Sequence, residues 1–167
     1  MNRHDRSRIP WPVWAALAAL TVLVVAACAW PGAARRRVVK GPAGQLAVDG
    51  GGSGGLPVLF VHSFAGSTQH WQPQLQHLRS SRRAVAMDLR GNGHSDPPRN
   101  NDYAITGFAD DIAAVADGLG LQRFVLVGHS MGGSAAAAYA RQHPDRVAGL
   151  ALVATPAKMN ADEAQKI

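Results

Sequence analysis

Phe124-Val125-Leu126-Val127-Gly128-His129-Ser130-Met131-Gly132-Gly133 is an apolar run, a tight turn and the opening of a small-residue helix that continues to Arg141. A strand, a five-residue turn with serine at its centre and a helix are what a G-x-S-x-G nucleophile elbow requires. The turn holds its serine in a strained backbone conformation and pushes the hydroxyl out above the sheet. Glycines at 128 and 132 suit such a turn, because a Cβ at either would collide with the neighbouring strand or helix. The bland alternative is a Gly/Ser-rich loop that matches a short pattern by chance.

The residues C-terminal to Ser130 matter as much. A serine hydroxyl is a poor nucleophile until a histidine takes its proton and a carboxylate orients that histidine. Where the nucleophile sits on such an elbow, the order along the chain is Ser, Asp/Glu, His. After Ser130 the only histidine is His143, before Pro144 at the far end of the helix that the serine opens. The chain therefore reads as the front half of an enzyme, its base and acid lying beyond Ile167.

Around the elbow the pattern is an alternation of strands and helices. Apolar runs at 57–61, 84–87, 124–127 and 147–153 predict strands buried on both faces, as in a parallel sheet covered by helices. Helices are predicted over Gln69–Arg79, Ile105–Leu119 and Ser130–Gln142 from apolar residues at helical spacing, such as Phe108, Ile112, Val115 and Leu119. Val38–Lys40 and Gln45–Val48 flank Gly41-Pro42-Ala43-Gly44 and predict a hairpin. The fold class is α/β: a doubly wound, mostly parallel sheet with helices on both faces. Gly50, Gly52 and Gly55 match G-x-G-x-x-G, but they precede a strand. A dinucleotide-binding turn comes after a strand and opens a helix, so the match is read as a flexible link.

The net positive charge belongs to the leader. Residues 1–40 carry seven basic residues against Asp5, and the remaining ten basic and ten acidic residues cancel. The body has no basic stripe, which argues against a nucleic-acid partner. The basic leader points to a membrane surface. Arg3, Arg6 and Arg8 precede Val13–Trp30, an uncharged run of 18 residues that meets the minimum for a spanning helix. It fits a secretory signal as well. Val25-Ala26-Ala27-Cys28 resembles a lipobox with an imperfect first position, whereas Arg35-Arg36-Arg37 suggests an uncleaved anchor. All three readings stay open, and each makes the protein membrane-anchored or exported, on a bacterial-type inner membrane or its periplasmic side. The domains expected are a leader over 1–37 and a catalytic body over 38–167. A single cysteine, Cys28, excludes an internal disulfide, and neither a metal site nor a cofactor site is expected.

Two further stretches carry chemistry. Val61-His62-Ser63-Phe64-Ala65-Gly66-Ser67 ends the first apolar strand. Acyl transfer needs donors aimed at the oxyanion formed on the attacked carbonyl. One is the backbone N–H of Met131, the residue after the nucleophile, and the other comes from the loop after the early strand, where Phe64 is the candidate. Asp88-Leu89-Arg90-Gly91-Asn92-Gly93-His94-Ser95-Asp96 comes after the strand at 84–87. It is read as a structural loop held by Asp88 and Arg90.

In this order and spacing, the Phe64 and Asp88 loops and the Ser130 elbow resemble the α/β-hydrolase fold family over roughly residues 38–156. The nearest subgroup is that of serine esterases, lactonases, cofactor-free haloperoxidase-like and carbon–carbon bond hydrolases. The resemblance implies that Ser130 is the nucleophile, that Phe64 and Met131 form the oxyanion hole and that Asp88–Ser95 is non-catalytic. It implies a small-molecule acyl substrate (ester, thioester or lactone) and an α/β-hydrolase core incomplete at its C-terminus, preceded here by an N-terminal hydrophobic helix. Two departures stand out. The family usually has His-Gly where this chain has His62-Ser63. The chain also lacks the proline that epoxide hydrolases place after His-Gly-x and has serine in place of aspartate at the elbow, which points away from epoxide hydrolases. Asp162 and Glu163 read as solvated tail, His129 as a packed loop residue, and His62 and His94 as residues that hydrogen-bond within their own loops. The alternative function is a non-catalytic, truncated or degenerate membrane-tethered fragment.

Overall fold

Residues 35–156 are described by a computed structural model of the chain. The hydrophobic helix expected over 13–30, Cys28, Asp162 and Glu163 lie outside the described residues. Among the described residues no helix is long and apolar enough to cross a membrane.

Among the described residues six strands form one sheet: β1 (Arg35–Lys40), β2 (Gln45–Gly51), β3 (Val58–Val61), β4 (Ala84–Met87), β5 (Phe124–His129) and β6 (Val147–Val153). Their order is β1-β2-β4-β3-β5-β6. The first hairpin is antiparallel and β2 pairs antiparallel with β4; the β3–β4, β3–β5 and β5–β6 pairs are parallel. The hairpin is longer than its apolar residues alone suggest. Arg35, Arg36 and Arg37 pair with Gly50, Asp49 and Val48, so the arginine triplet forms the first half of β1 and Gly50 and Gly51 belong to β2. Backbone pairing holds these residues, because β1 is an edge strand and Arg36, Arg37 and Val38 are exposed. The link proper starts at Gly52, whose φ of +73° suits glycine and where a Cβ would strike the carbonyl oxygen of Arg82. It leads into β3, with no helix in between.

Side-chain alternation along the strands builds two apolar layers. Leu59, Val61, Val85, Met87, Phe124 and Leu126 pack with α2 (Ile105–Gly118) and α3 (Met131–Gln142). Val58, Phe60, Ala84 and Ala86 pack on the opposite face with Trp71 and with Leu75 of α1 (Gln72–Leu78). Helices thus cover both faces, and β3 and β4 are buried along their whole length. The helix expected over 69–79 divides into a 3-10 turn, Thr68–Trp71, and α1. The break falls at Trp71, which leaves the helical region at φ −104° and ψ 7°, and Pro73, with no N–H to extend the preceding turn's hydrogen bonds, sits in the first turn of the new helix, where none is needed. The strand at 147–153 forms but is not buried on both faces, and among the described residues only β5 flanks it. Leu150, Leu152 and Val153 are exposed there.

Candidate active site

Ser130 links β5 to α3 with φ 51° and ψ −117°, a conformation that costs a non-glycine residue about 1–3 kcal/mol. Neighbouring hydrogen bonds hold it there. Its N–H donates to the Val153 carbonyl of β6 (2.9 Å), and its own carbonyl accepts from the N–H groups of Gly133 (2.9 Å) and Ser134 (3.1 Å). Serine at a helix N-cap normally turns its hydroxyl onto the first-turn amides. Ser130 makes no such bond, and among the described residues its hydroxyl has no hydrogen-bond partner. The residue is half-buried.

The elbow glycines are sites of backbone contact. A Cβ on Gly128 would lie 2.5 Å from the Gly132 carbonyl oxygen and 2.6 Å from the Gly133 Cα. A Cβ on Gly132 would strike the His62 carbonyl oxygen. The start of α3 is therefore pressed onto the end of β3. Val61 and Gly128 are register partners in the parallel β3–β5 pair, so the loops carrying Phe64 and Met131 leave neighbouring strands at one level.

The Phe64 loop is a tight turn. Gly66 N–H donates to the Ser63 carbonyl (3.0 Å), Ala65 takes φ 52°, and the Phe64 ring stands out, 62% exposed. Ser63, where the family usually has glycine, is not among the residues with positive φ, so its Cβ meets no backbone penalty. The preceding His62 ring is fully buried. Its Nε2 accepts the Leu89 N–H (3.0 Å) and its Nδ1 contacts the Ser63 carbonyl oxygen (2.7 Å). Because the Leu89 amide can only donate, Nε2 is bare and the proton sits on Nδ1. Burial pushes the His62 pKa below its ordinary value, although the bond to Ser63 and the charge of Asp88 favour the proton; His70 opposes it. His62 thus ties its own loop to the end of β4, a reach beyond the local loop bond expected. The signal in the sequence was its position directly after a fully buried strand.

The Asp88 loop lies beside these two. Asp88 is buried, and its carboxylate accepts the Thr68 N–H (2.6 Å) and the His94 N–H (2.9 Å). Arg90 is clamped by both Asp111 oxygens (2.8 Å each) and donates to the Gly107 carbonyl. Hydrogen bonding to Asp111 raises the Arg90 pKa further, against the opposing effect of burial. Asp88 and Arg90 therefore hold the loop through separate partners. An open hollow of about 860 Å³ between the hairpin turn and Asp96, Arg99 and Asp102 is lined by no elbow residue.

None of His94, His129 and His143 is hydrogen-bonded to Ser130 among the described residues, and His70 lies against the Phe64 turn, its Nδ1 2.9 Å from where a Gly66 Cβ would stand. His129 is half-buried as the last β5 register partner of β6. His94, an exposed residue, lies 3.2 Å from an Arg36 guanidinium nitrogen at Nε2. His143 ends α3, whose 12 residues separate it from the elbow by about 18 Å, and its ring packs on Tyr139 at 4.6 Å.

A strained serine between strand and helix, at the carboxyl edge of a mostly parallel sheet, marks a hydrolase core of the α/β class. The model of the family described as alpha/beta hydrolase fold matches residues 57–167, and the chain belongs to that family. It is 41% identical over 107 residues to a non-heme chloroperoxidase of Streptomyces lividans, covering 63% of this chain and 38% of that protein. It is 39% identical over 100 residues to epoxide hydrolase 3 of Xenopus tropicalis, covering 59% of this chain and 27% of that protein. A solved thermophilic esterase from Thermogutta terrifontis superposes with a TM-score of 0.72 at 37% identity, over 79% of this chain and 50% of that one. The chain spans less than half the length of the curated relatives it matches.

Proposed function

We propose that this chain supplies the nucleophile and oxyanion hole of a serine hydrolase acting on an ester, thioester or lactone-like substrate. Ser130 Oγ attacks the acyl carbon, its proton passes to a base, the leaving group departs, and water releases the acyl group from Ser130. The N–H groups of Met131 and Phe64 bind the oxyanion. The observation that carries this reading is the Ser130 backbone: a conformation costly for serine, combined with a hydroxyl that declines its usual capping bond. Strain of that kind persists where the surrounding structure enforces it, and it clusters at active sites. The base and acid come from sequence beyond this chain, which is consistent with the fraction of the relatives that it spans. Although epoxide hydrolases are among those relatives, serine at the elbow favours acyl transfer. Residues 13–30 tether or export the enzyme.

The test is hydrolysis of p-nitrophenyl esters by the full-length protein. Turnover is expected, with a loss of at least about 10³-fold in S130A. An S130A variant with unchanged turnover overturns the assignment. A second reading is favoured by the lack of a histidine hydrogen-bonded to Ser130 among the described residues: the 167-residue chain on its own is a fragment without turnover. It then hydrolyses the same esters no faster than S130A, and robust turnover would contradict it.

A further inference from the structure

We infer that His62 is a positioning residue for the oxyanion hole: its buried ring fixes the Ser63–Phe64 peptide so that the Phe64 N–H faces outward. This rests on the serine-hydrolase reading above. No cis peptide occurs among the described residues, and in a trans peptide the C=O of one residue and the N–H of the next point in opposite directions. Whatever holds the Ser63 carbonyl therefore also aims the Phe64 amide.

Two donors hold that carbonyl, the His62 Nδ1–H at 2.7 Å and the Gly66 N–H at 3.0 Å. The ring lies wholly in the interior, so the Ser63 carbonyl points inward and the Phe64 N–H points away from it. That N–H has no hydrogen-bond partner among the described residues, which leaves it free to receive an oxyanion. The other side of the ring fixes the tautomer. Leu89 N–H occupies Nε2, so the proton has to stand on Nδ1, where it meets the carbonyl. Gly66 completes the arrangement: a Cβ there would lie 3.0 Å from Nδ1 and 2.9 Å from the Ser63 oxygen, crowding the contact.

Rotation of the peptide by half a turn would strand the buried Nδ1–H, remove the acceptor of Gly66 N–H, and present a carbonyl oxygen where the hole needs a donor. The same contacts exclude His62 as the general base, because both ring nitrogens are engaged and the ring is closed to solvent. It acts through the peptide and touches no reacting atom.

Two substitutions separate the roles. His62→Leu removes both ring contacts, whereas His62→Asn keeps a donor at the position of Nδ1. Amide hydrogen exchange at Gly66 reads the peptide orientation directly, against core amides such as Leu126 as an internal standard for folding. Gly66 is expected to be protected in the wild type and H62N and unprotected in H62L. Fluorophosphonate labelling of the full-length protein reads the consequence. In H62L the maximal labelling rate constant falls about 10²-fold, the loss typical of one oxyanion donor, with the half-saturating probe concentration within about threefold of wild type. H62N recovers to within about tenfold of the wild-type rate. H62L labelling at the wild-type rate, or Gly66 protection unchanged in H62L, overturns the proposal. Wild-type labelling no faster than S130A instead overturns the serine reading, and Gly66 exchange still decides the His62 geometry.

Discussion

Ser130 and His62 show what single residues contribute and what they cost. The φ of 51° at Ser130 is tolerable for glycine and expensive for serine. S130G is therefore expected to raise the unfolding free energy by about 1 kcal/mol while abolishing reaction with acyl substrates, the trade between stability and function seen at strained sites. Equilibrium urea unfolding checks the gain, and a loss of stability would show that serine is not strained there. His62 links stability to pH. Its folded-state pKa lies below the ordinary 6.5, chiefly through burial. Below pH 6.5 the unfolded chain then binds more protons than the folded one, so stability falls as pH drops from 6.5 toward the folded value. Urea unfolding at pH 7 and at successive steps down to pH 5 is expected to show this decline, with a flatter slope in H62N. Much of the elbow was legible in the sequence, since Gly128, Ser130 and Gly132 stand between an apolar strand pattern and a small-residue helix, the context that a sharp strand-to-helix turn requires. The role of His62 was not, because the partners of its ring, Ser63 and Leu89, lie on two different loops, and Leu89 is brought near only by the β3–β4 pairing.

At the scale of elements, the apolar runs that built β3 and β4 were readable because both faces of each are covered; β5 was readable from its apolar run as well, although one of its faces, with Val125 and Val127, is only half-buried. The ends were harder. The break at Trp71 divides a helix whose apolar spacing runs straight through it, and β1 begins among arginines because an edge strand needs only backbone partners. The loop after β4 is tied to α2 through Arg90 and Asp111, both buried. Breaking a buried pair strands a charge, so D111N is expected to cost about 3 kcal/mol, the lower end for such pairs because Asp102 remains 3.4 Å from Arg90. Thermal or urea unfolding checks this, and a loss below about 1 kcal/mol would show that the pair is peripheral. G132A tests the packing of α3 on β3. Its Cβ meets the His62 backbone, so a destabilisation of about 1–3 kcal/mol is expected together with loss of labelling.

For the molecule as a whole, β6 leaves an unpaired edge among the described residues, with Leu150, Leu152 and Val153 exposed along it. An apolar open edge recruits other chains. The 167-residue chain is expected to self-associate, and L152K to increase the monomer fraction in size-exclusion chromatography; an unchanged profile would place the association elsewhere. Whether Ser130 is the nucleophile is decided by locating the fluorophosphonate adduct on the full-length protein by peptide mass spectrometry. A single adduct on the peptide containing Ser130, and none in S130A, is expected. An adduct on another residue, or one that survives in S130A, would show that a different group attacks.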